Sequence, residues 1–330
     1  MGGRGPRNDI TDVPGIRVGE AHDARVRTGV TVIMPDTAAI VAGDVRGGGP
    51  GTRETDLLDP STLVDRADAI VLAGGSSYGL AAADGIAAYL GSRGRGFRLA
   101  VQDGVPPSPI VPAAILYDLA NGGAKNWGQD PPYRQLGIAA AAACAEGGAV
   151  RLGRAGAGFG ARAGAEPGGL GSASYATDDG LIVGALVAVN SFGSVRRPGS
   201  RAFWAAPFEL DNEFGGVRDE VVTPAADWPA DTKLGPAAAR TNTTIGVIAV
   251  NASLTQAQAR RVAIMAQDGV ARAIRPVHGP TDGDVIFVLA NASADGAIDP
   301  LALTRIGMIA ADCLARAIAR AVYEAARQTP

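Results

Sequence analysis

The chain has 330 residues, with 30 Lys+Arg against 33 Asp+Glu and a formal net charge of −3. Two cysteines (Cys144, Cys313) cannot build a disulfide framework, and no C-x-x-C offers a zinc site. Two distant histidines (His22, His278) speak against a multi-histidine metal centre, so neither a metal nor a cofactor is expected.

The balanced charge lacks the clustered basic character of a nucleic-acid footprint. No apolar run of 18 residues suggests a membrane span. The start M-G-G-R-G-P-R-N-D carries no apolar leader, which sets the expectation of a cytoplasmic protein. A 47% hydrophobic, 19% charged composition suffices for a large core. Glycine is abundant, at 46 residues, and lies between apolar runs, where tight turns and close backbone approach need it. Only Lys125 and Lys233 among the basic residues are lysines.

In chain order, residues 31–34 and 38–42 read as strands, and 69–73 (A-I-V-L-A) as a buried strand running into Gly74-Gly75. Residues 76–90 follow as a helix, with Leu80, Ala83, Ile86, Ala87 and Leu90 on one side. Residues 99–102 suggest a short strand, and 136–145 an alanine-rich helix. A glycine-rich loop occupies 153–171. Two strands, 172–176 and 181–190, then flank Asp178-Asp179-Gly180 as a hairpin. From 191 to 242 the pattern dissolves around Pro198, Pro207, Pro224, Pro229 and Pro236. Such a long irregular stretch points to a functional or processed segment.

Regularity returns with a strand over 244–250. A helix over 255–274 opens on a Thr255/Gln258 capping box. A strand at 285–289 and a helix capped by Asp299-Pro300 and running to about 326 complete a β-α-β-α ending. Alternating strands and alanine-rich helices indicate a layered α/β body.

Four short segments could carry chemistry. Gly75-Ser76-Ser77-Tyr78-Gly79 fits G-x-S-x-G between a strand and a helix, the setting of a nucleophile elbow. With His278 it would give an esterase centred on Ser77, but a serine-capped glycine turn fits equally. Gly156-Ala157-Gly158-Phe159-Gly160-Ala161 loosely fits a dinucleotide fingerprint; no helix follows it, so it reads as a structural or substrate-lining loop.

At Asn242-Thr243-Thr244 the irregular stretch meets a buried strand. Cleavage before Thr243 would give its hydroxyl a neighbouring α-amine as base, a nucleophile that needs no histidine. An ordinary loop-to-strand passage fits the same residues. Asp282 and Asp284, two apart on extended backbone, could converge on one site, or be the solvated carboxylates of a D-G turn. His278 reads as a cap on the preceding helix, His22 as a residue without a partner, and both cysteines as buried small hydrophobes.

The third and fourth segments, in this order, resemble the self-processing N-terminal-nucleophile amidases. That family includes the L-aminopeptidase/D-esterases, the β-peptidyl aminopeptidases and the nylon-oligomer (6-aminohexanoate oligomer) hydrolases. The likeness runs through T-D-V-P-G-I-R-V-G at residues 11–19, T-G-V-T-V-I at 28–33, G-T-R-E-T-D-L-L at 51–58 and L-A-G-G-S-S-Y-G-L at 72–80. It continues through I-V-P-A-A-I-L-Y-D at 110–118, G-R-A-G-A-G at 153–158, G-G-L-G-S-A-S at 168–174, N-T-T-I at 242–245 and D-G-D at 282–284.

The resemblance implies a single-domain, four-layer αββα sandwich over residues 1–330. It would be cut at Asn242/Thr243 into an α-chain (1–242) and a β-chain (243–330). It assigns Thr243 as processing residue and nucleophile, Asp282 and Asp284 as the groups orienting it, Asn190 as oxyanion donor and Tyr117 as a residue lining the site. The implied partners are short peptides or linear amide oligomers, and a homo-oligomer, commonly a tetramer of α/β pairs. Nucleic acid and membrane are not among them.

A threonine in N-T-T-I is closest to the nylon-oligomer branch. The G-x-S-x-G segment falls on a family motif that is not the nucleophile. The family lysine in the glycine-rich loop is replaced by Ala165 or Pro167. Arg162 is then the nearest cation to substitute; otherwise maturation is weakened, and the protein could be an uncleaved binding homologue.

Overall fold

The computed structural model describes residues 2–218, 231–233, 242–292 and 298–328. Pro224, Pro229 and Pro236 of the irregular stretch lie outside the described residues, as do Arg240 and Thr241.

Two sheets lie face to face. The larger has seven strands in the order Gly3–Arg4, Gly169–Ala176, Ile182–Asn190, Thr243–Val250, Val285–Ala290, Ala39–Val45, Arg66–Ala67. The smaller has five, in the order Ile16–Asp23, Thr28–Pro35, Ile70–Ala73, Ala113–Ile115, Thr52–Arg53. Ile33, Leu72 and Leu116 pack with Leu186, Val247 and Phe287 to fill the space between the sheets. Helices α1 (Ala81–Gly91) and α2 (Tyr133–Glu146) cover the outer face of the five-stranded sheet. Helices α3 (Gln256–Ala273) and α4 (Pro300–Arg327) cover the outer face of the seven-stranded one. The result is the expected four-layer αββα sandwich.

Helix ends follow their sequence signals. Thr255 and Gln258 form a reciprocal capping box at α3, each bond 3.2 Å. Asp299 caps α4 by accepting from Leu301 N and Ala302 N, with Pro300 in the first turn. The glycine excess has a packing role. A Cβ on Gly137 of α2 would fall 2.2 Å from Ala82 O of α1, and one on Gly269 of α3 would fall 2.2 Å from Ala311 O of α4. Each helix pair can approach this closely only because glycine occupies the contact. Among the described residues no helix is long and apolar enough to cross a membrane.

Several expectations need correction. Residues 99–102 are not a strand: Leu99 and Val101 are 83% and 91% exposed in a loop closed by the Phe97–Ser108 bridge. Apolar alternation alone supplied no neighbouring strand to pair with. The expected helix over 76–90 starts as a 3-10 turn, Ser76–Leu80, before α1. Strands Ile16–Asp23 and Ala113–Ile115 appear where no periodic signal stood out. His22 lies on the first of them and has a partner, stacking on Phe159 at 4.2 Å between ring centroids.

Arg316 of α4 is the largest fully buried side chain. Its guanidinium binds Glu213 (Nε–Oε1 2.5 Å, Nη2–Oε2 3.0 Å), Ser174 O (2.8 Å) and Asn8 Oδ1 (2.7 Å). It thereby ties a helix, a strand, the N-terminal segment and the loop holding Glu213 into one cluster. Breaking a buried pair strands the surviving charge. Glu213→Ala should therefore cost on the order of 3–5 kcal/mol in urea unfolding, far more than Asp179→Ala at the exposed Arg305 pair.

Candidate active site

The topology decides what meets at Thr243. Strand Thr243–Val250 pairs in parallel with Val285–Ala290. Parallel neighbours need a crossover, and α3 provides it. The two strands therefore begin at the same edge of the sheet, which brings the 282–284 segment alongside Thr243. On its other side Thr243–Val250 pairs antiparallel with Ile182–Asn190. There Asn190, the last residue of its strand, is the register partner of Thr243, the first of its own.

Asn242 and Thr243 are both buried. Thr243 Oγ1 donates a short hydrogen bond to the carbonyl oxygen of Asn242. The same oxygen accepts from Gly283 N at 2.9 Å. A Cβ on Gly283 would fall 2.7 Å from Thr243 Oγ1 and crowd that hydroxyl. Asp284 Oδ1 accepts from Thr244 N (2.6 Å), and its Oδ2 faces His278 Nδ1 at 2.8 Å. Asp282 Oδ2 accepts from Gly279 N (2.6 Å), while its buried Oδ1 has no hydrogen-bond partner among the described residues.

The acidic segment is braced by Arg46-Gly47-Gly48-Gly49. Gly49 N donates to Asp282 O (2.8 Å), and Arg46 N to Asp284 O (3.0 Å). A Cβ on Gly47 would fall 2.2 Å from Asp282 O.

Asn190 closes the opposite side. Its Oδ1 accepts from Arg162 N (2.9 Å), and its Nδ2 donates to Tyr117 O (3.0 Å). Tyr117 thus meets the site through its main chain. The Arg162 side chain is exposed and reaches Ala165 O (3.2 Å), so only its backbone touches Asn190. The side chain that does reach Asn190 is that of Lys233, with Nζ 3.0 Å from Asn190 O and 3.3 Å from Asn190 Oδ1.

Thr243, Asn242, Asp282, Asp284, Asn190 and Tyr117 are therefore brought together, and Arg162 joins them by its backbone. Two members escaped the sequence reading. His278 does not cap α3, which ends at Ile274; a left-handed backbone (φ 56°) sets its ring on Asp284. Lys233 was visible as one of two lysines, but nothing in its neighbours marked its destination.

The other segments lie apart from this chemistry. Ser77 is exposed in the 3-10 turn after strand Ile70–Ala73. The turn is pinned by Asp118, whose Oδ1 accepts from Gly75 N (2.8 Å) and whose Oδ2 accepts from Thr28 Oγ1 (2.6 Å). His278 bonds Asp284, and no hydrogen bond joins it to Ser77 among the described residues, so the Ser77 triad is not assembled. Gly156–Gly158 forms a 3-10 turn, with Ala157 N bonded to Thr31 Oγ1 (3.0 Å), and is a structural loop.

Residues 8–329 match peptidase family S58. The chain belongs to this family. An uncharacterised aminopeptidase of Mycobacterium tuberculosis is 45% identical over 96% of this chain and 94% of its own length. A 6-aminohexanoate-oligomer endohydrolase of Kocuria sp. is 32% identical over 86% of this chain and 75% of its own. Among solved structures, a Burkholderia sp. β-aminopeptidase superposes with a TM-score of 0.70 at 23% identity, covering 97% of this chain and 88% of that one. The L-aminopeptidase D-Ala-esterase/amidase of Ochrobactrum anthropi, described as a variant of the Ntn hydrolase fold, gives 0.67 at 21%, covering 97% and 87%. The chain has the Ntn hydrolase fold and is a hydrolase acting on peptide or amide bonds.

Burial and the neighbouring Asp284 charge push the Asp282 carboxyl up to about 6. The folded protein thus keeps a proton there that the unfolded chain releases near 3.8. This group's contribution to stability is complete below about pH 4 and is lost as the pH rises through about 6. Asp282→Asn should accordingly melt at a higher temperature than the parent protein at pH 7.5, with the difference closing at pH 4, as read by calorimetry at the two pH values.

Proposed function

We propose that the protein is a threonine amide hydrolase that matures by cutting its own Asn242–Thr243 bond. The observation that carries this reading is the Asn242 carbonyl. The Thr243 hydroxyl lies against it, the Gly283 amide is aimed at its oxygen, and Asn190, Asp282 and Asp284 surround it. In the precursor, Thr243 Oγ attacks the Asn242 carbonyl carbon. Its proton leaves for a base, and the C–N bond breaks to give an ester with a free Thr243 amine. Water then hydrolyses the ester and frees the Asn242 carboxylate.

Gly283 N is placed to stabilise the oxyanion of that step, a kind of donor worth a factor of about 10² or more. Asp282, with a bare Oδ1 and a pKa near neutrality, suits the acceptor of the hydroxyl proton before any amine exists. In the mature enzyme the Thr243 amine, with a reference pKa of about 7.7–8.0, takes over as base. Asp284 holds the strand start through Thr244 N, and Asn190 donates to the substrate oxyanion.

The substrates are short peptides or linear amide oligomers. The threonine and the likeness to the Kocuria 6-aminohexanoate-oligomer endohydrolase favour linear amides. A homo-oligomer of cleaved pairs accompanies this reading by resemblance.

A denaturing gel of purified protein should show two fragments of about 24 and 9 kDa, in proportion to residue number. N-terminal sequencing of the smaller should begin Thr-Thr-Ile-Gly-Val. Thr243→Ala should leave one intact band and lower hydrolysis of alanine p-nitroanilide and 6-aminohexanoate oligomers by roughly 10³-fold or more. Ser77→Ala should leave cleavage intact. A single band from fully active protein would overturn the proposal. Gly283→Ala, which crowds the Thr243 hydroxyl, should slow the appearance of the two fragments in a time course without preventing folding.

A further inference from the structure

Two segments cross beside Asn190. One is the small hairpin of Arg162–Ala163 and Glu166–Pro167, turning at Gly164-Ala165. The other is Asp231-Thr232-Lys233, in the stretch leading to the Asn242–Thr243 bond. Ala165 N donates to Asp231 O (2.8 Å), and Lys233 N donates to Phe192 O (3.1 Å). A Cβ on Gly164 would fall 2.1 Å from Asp231 O, and Thr232 is buried at the crossing. This backbone clip sets Lys233 Nζ on Asn190 O and Oδ1.

We propose that Lys233, delivered by the clip over Ala165, supplies the ammonium of this site and acts as a positioning residue through Asn190. The inference rests on the Thr243 reading above and adds a residue that the glycine-rich loop does not itself contain.

Protonated, as below about pH 7, lysine has donors and no acceptor, so its contact with Oδ1 selects one orientation of the Asn190 amide, with nitrogen facing away from it. Arg162 N on the same oxygen enforces the same choice. A cationic donor on Oδ1 also polarises the amide and strengthens the Nδ2 hydrogens as donors, which is what an oxyanion requires. The charged groups acting on Lys233 are Arg162, which opposes its charge, and Asp282, which favours it; burial and Arg162 bring its pKa down to about 7. Asp282 in turn faces Asp284 and His278. Lys233 is thus held to Asn190 by hydrogen bonds and coupled to Asp282 through charge.

Ala165 stands where the family resemblance expects a lysine, and it is also the residue whose backbone brings Lys233 in. A lysine introduced there should therefore replace the missing charge from the other side of the clip. The test compares the full-length parent, Lys233→Met, and Lys233→Met combined with Ala165→Lys. Each is followed by a gel time course of cleavage and by kcat and KM on alanine p-nitroanilide.

Lys233→Met should slow cleavage and lower kcat by about tenfold or more with little change in KM, and Ala165→Lys should recover most of both. Cleavage and kcat within about twofold of the parent in Lys233→Met would overturn the inference, as would a loss that Ala165→Lys leaves unrecovered. If the parent itself stays uncut and inactive, the Thr243 reading fails. If the parent cuts and Lys233→Met cuts equally fast, only the role of Lys233 fails.

Discussion

The register of strand Thr243–Val250 is the constraint on which the rest of the structure depends. Its parallel pairing with Val285–Ala290 puts the acidic segment next to its first residue. Its antiparallel pairing with Ile182–Asn190 puts the last residue of that strand across from it. A slip of one residue on either side would turn Thr243 to the opposite face of the sheet, away from its present neighbours. All eight residues of the strand are buried, with apolar layers on both faces, so a slip would also disturb the packing of the core.

Close backbone packing serves the same end. Gly283 lets an amide reach the Asn242 carbonyl beside the Thr243 hydroxyl, and Gly47 lets the bracing loop lie on the acidic segment. Side chains at either place would push the reacting groups apart. The site is thus assembled largely from main-chain donors. These are already ordered by the sheet and need no reorganisation as charge develops. Asp282, buried and next to Asp284, lowers stability near neutral pH; under the proposed mechanism it is the carboxylate that exchanges a proton.

Much of the fold could be read from local pattern. The capping box of α3, the Asp299-Pro300 start of α4, the hairpin around Asp179, and the strand entering Gly74-Gly75 all depend on neighbours in sequence. Strand Ala113–Ile115 left little trace because three residues after Pro112 have no period to detect. Residues 99–102 misled because an alternating run resembles a strand whether or not a neighbour exists to pair with it. The N-T-T-I and D-G-D motifs were legible as words, together with the family that carries them. Motif order, however, cannot show that His278 leaves its helix end to meet Asp284, or that Arg162 contributes a backbone amide and not a guanidinium.

By itself, then, the sequence determined the layered α/β body and the abrupt passage from irregular chain to strand at Thr243. Only the tertiary structure decided where Lys233 lies. Lys233 reaches Asn190 through hydrogen bonds to Ala165 and Phe192, residues remote from it along the chain. Such contacts depend on how sheets and loops cross in space. The residues beside Lys233 in sequence carry no record of them, and its place in the site therefore became visible only once the chain was folded.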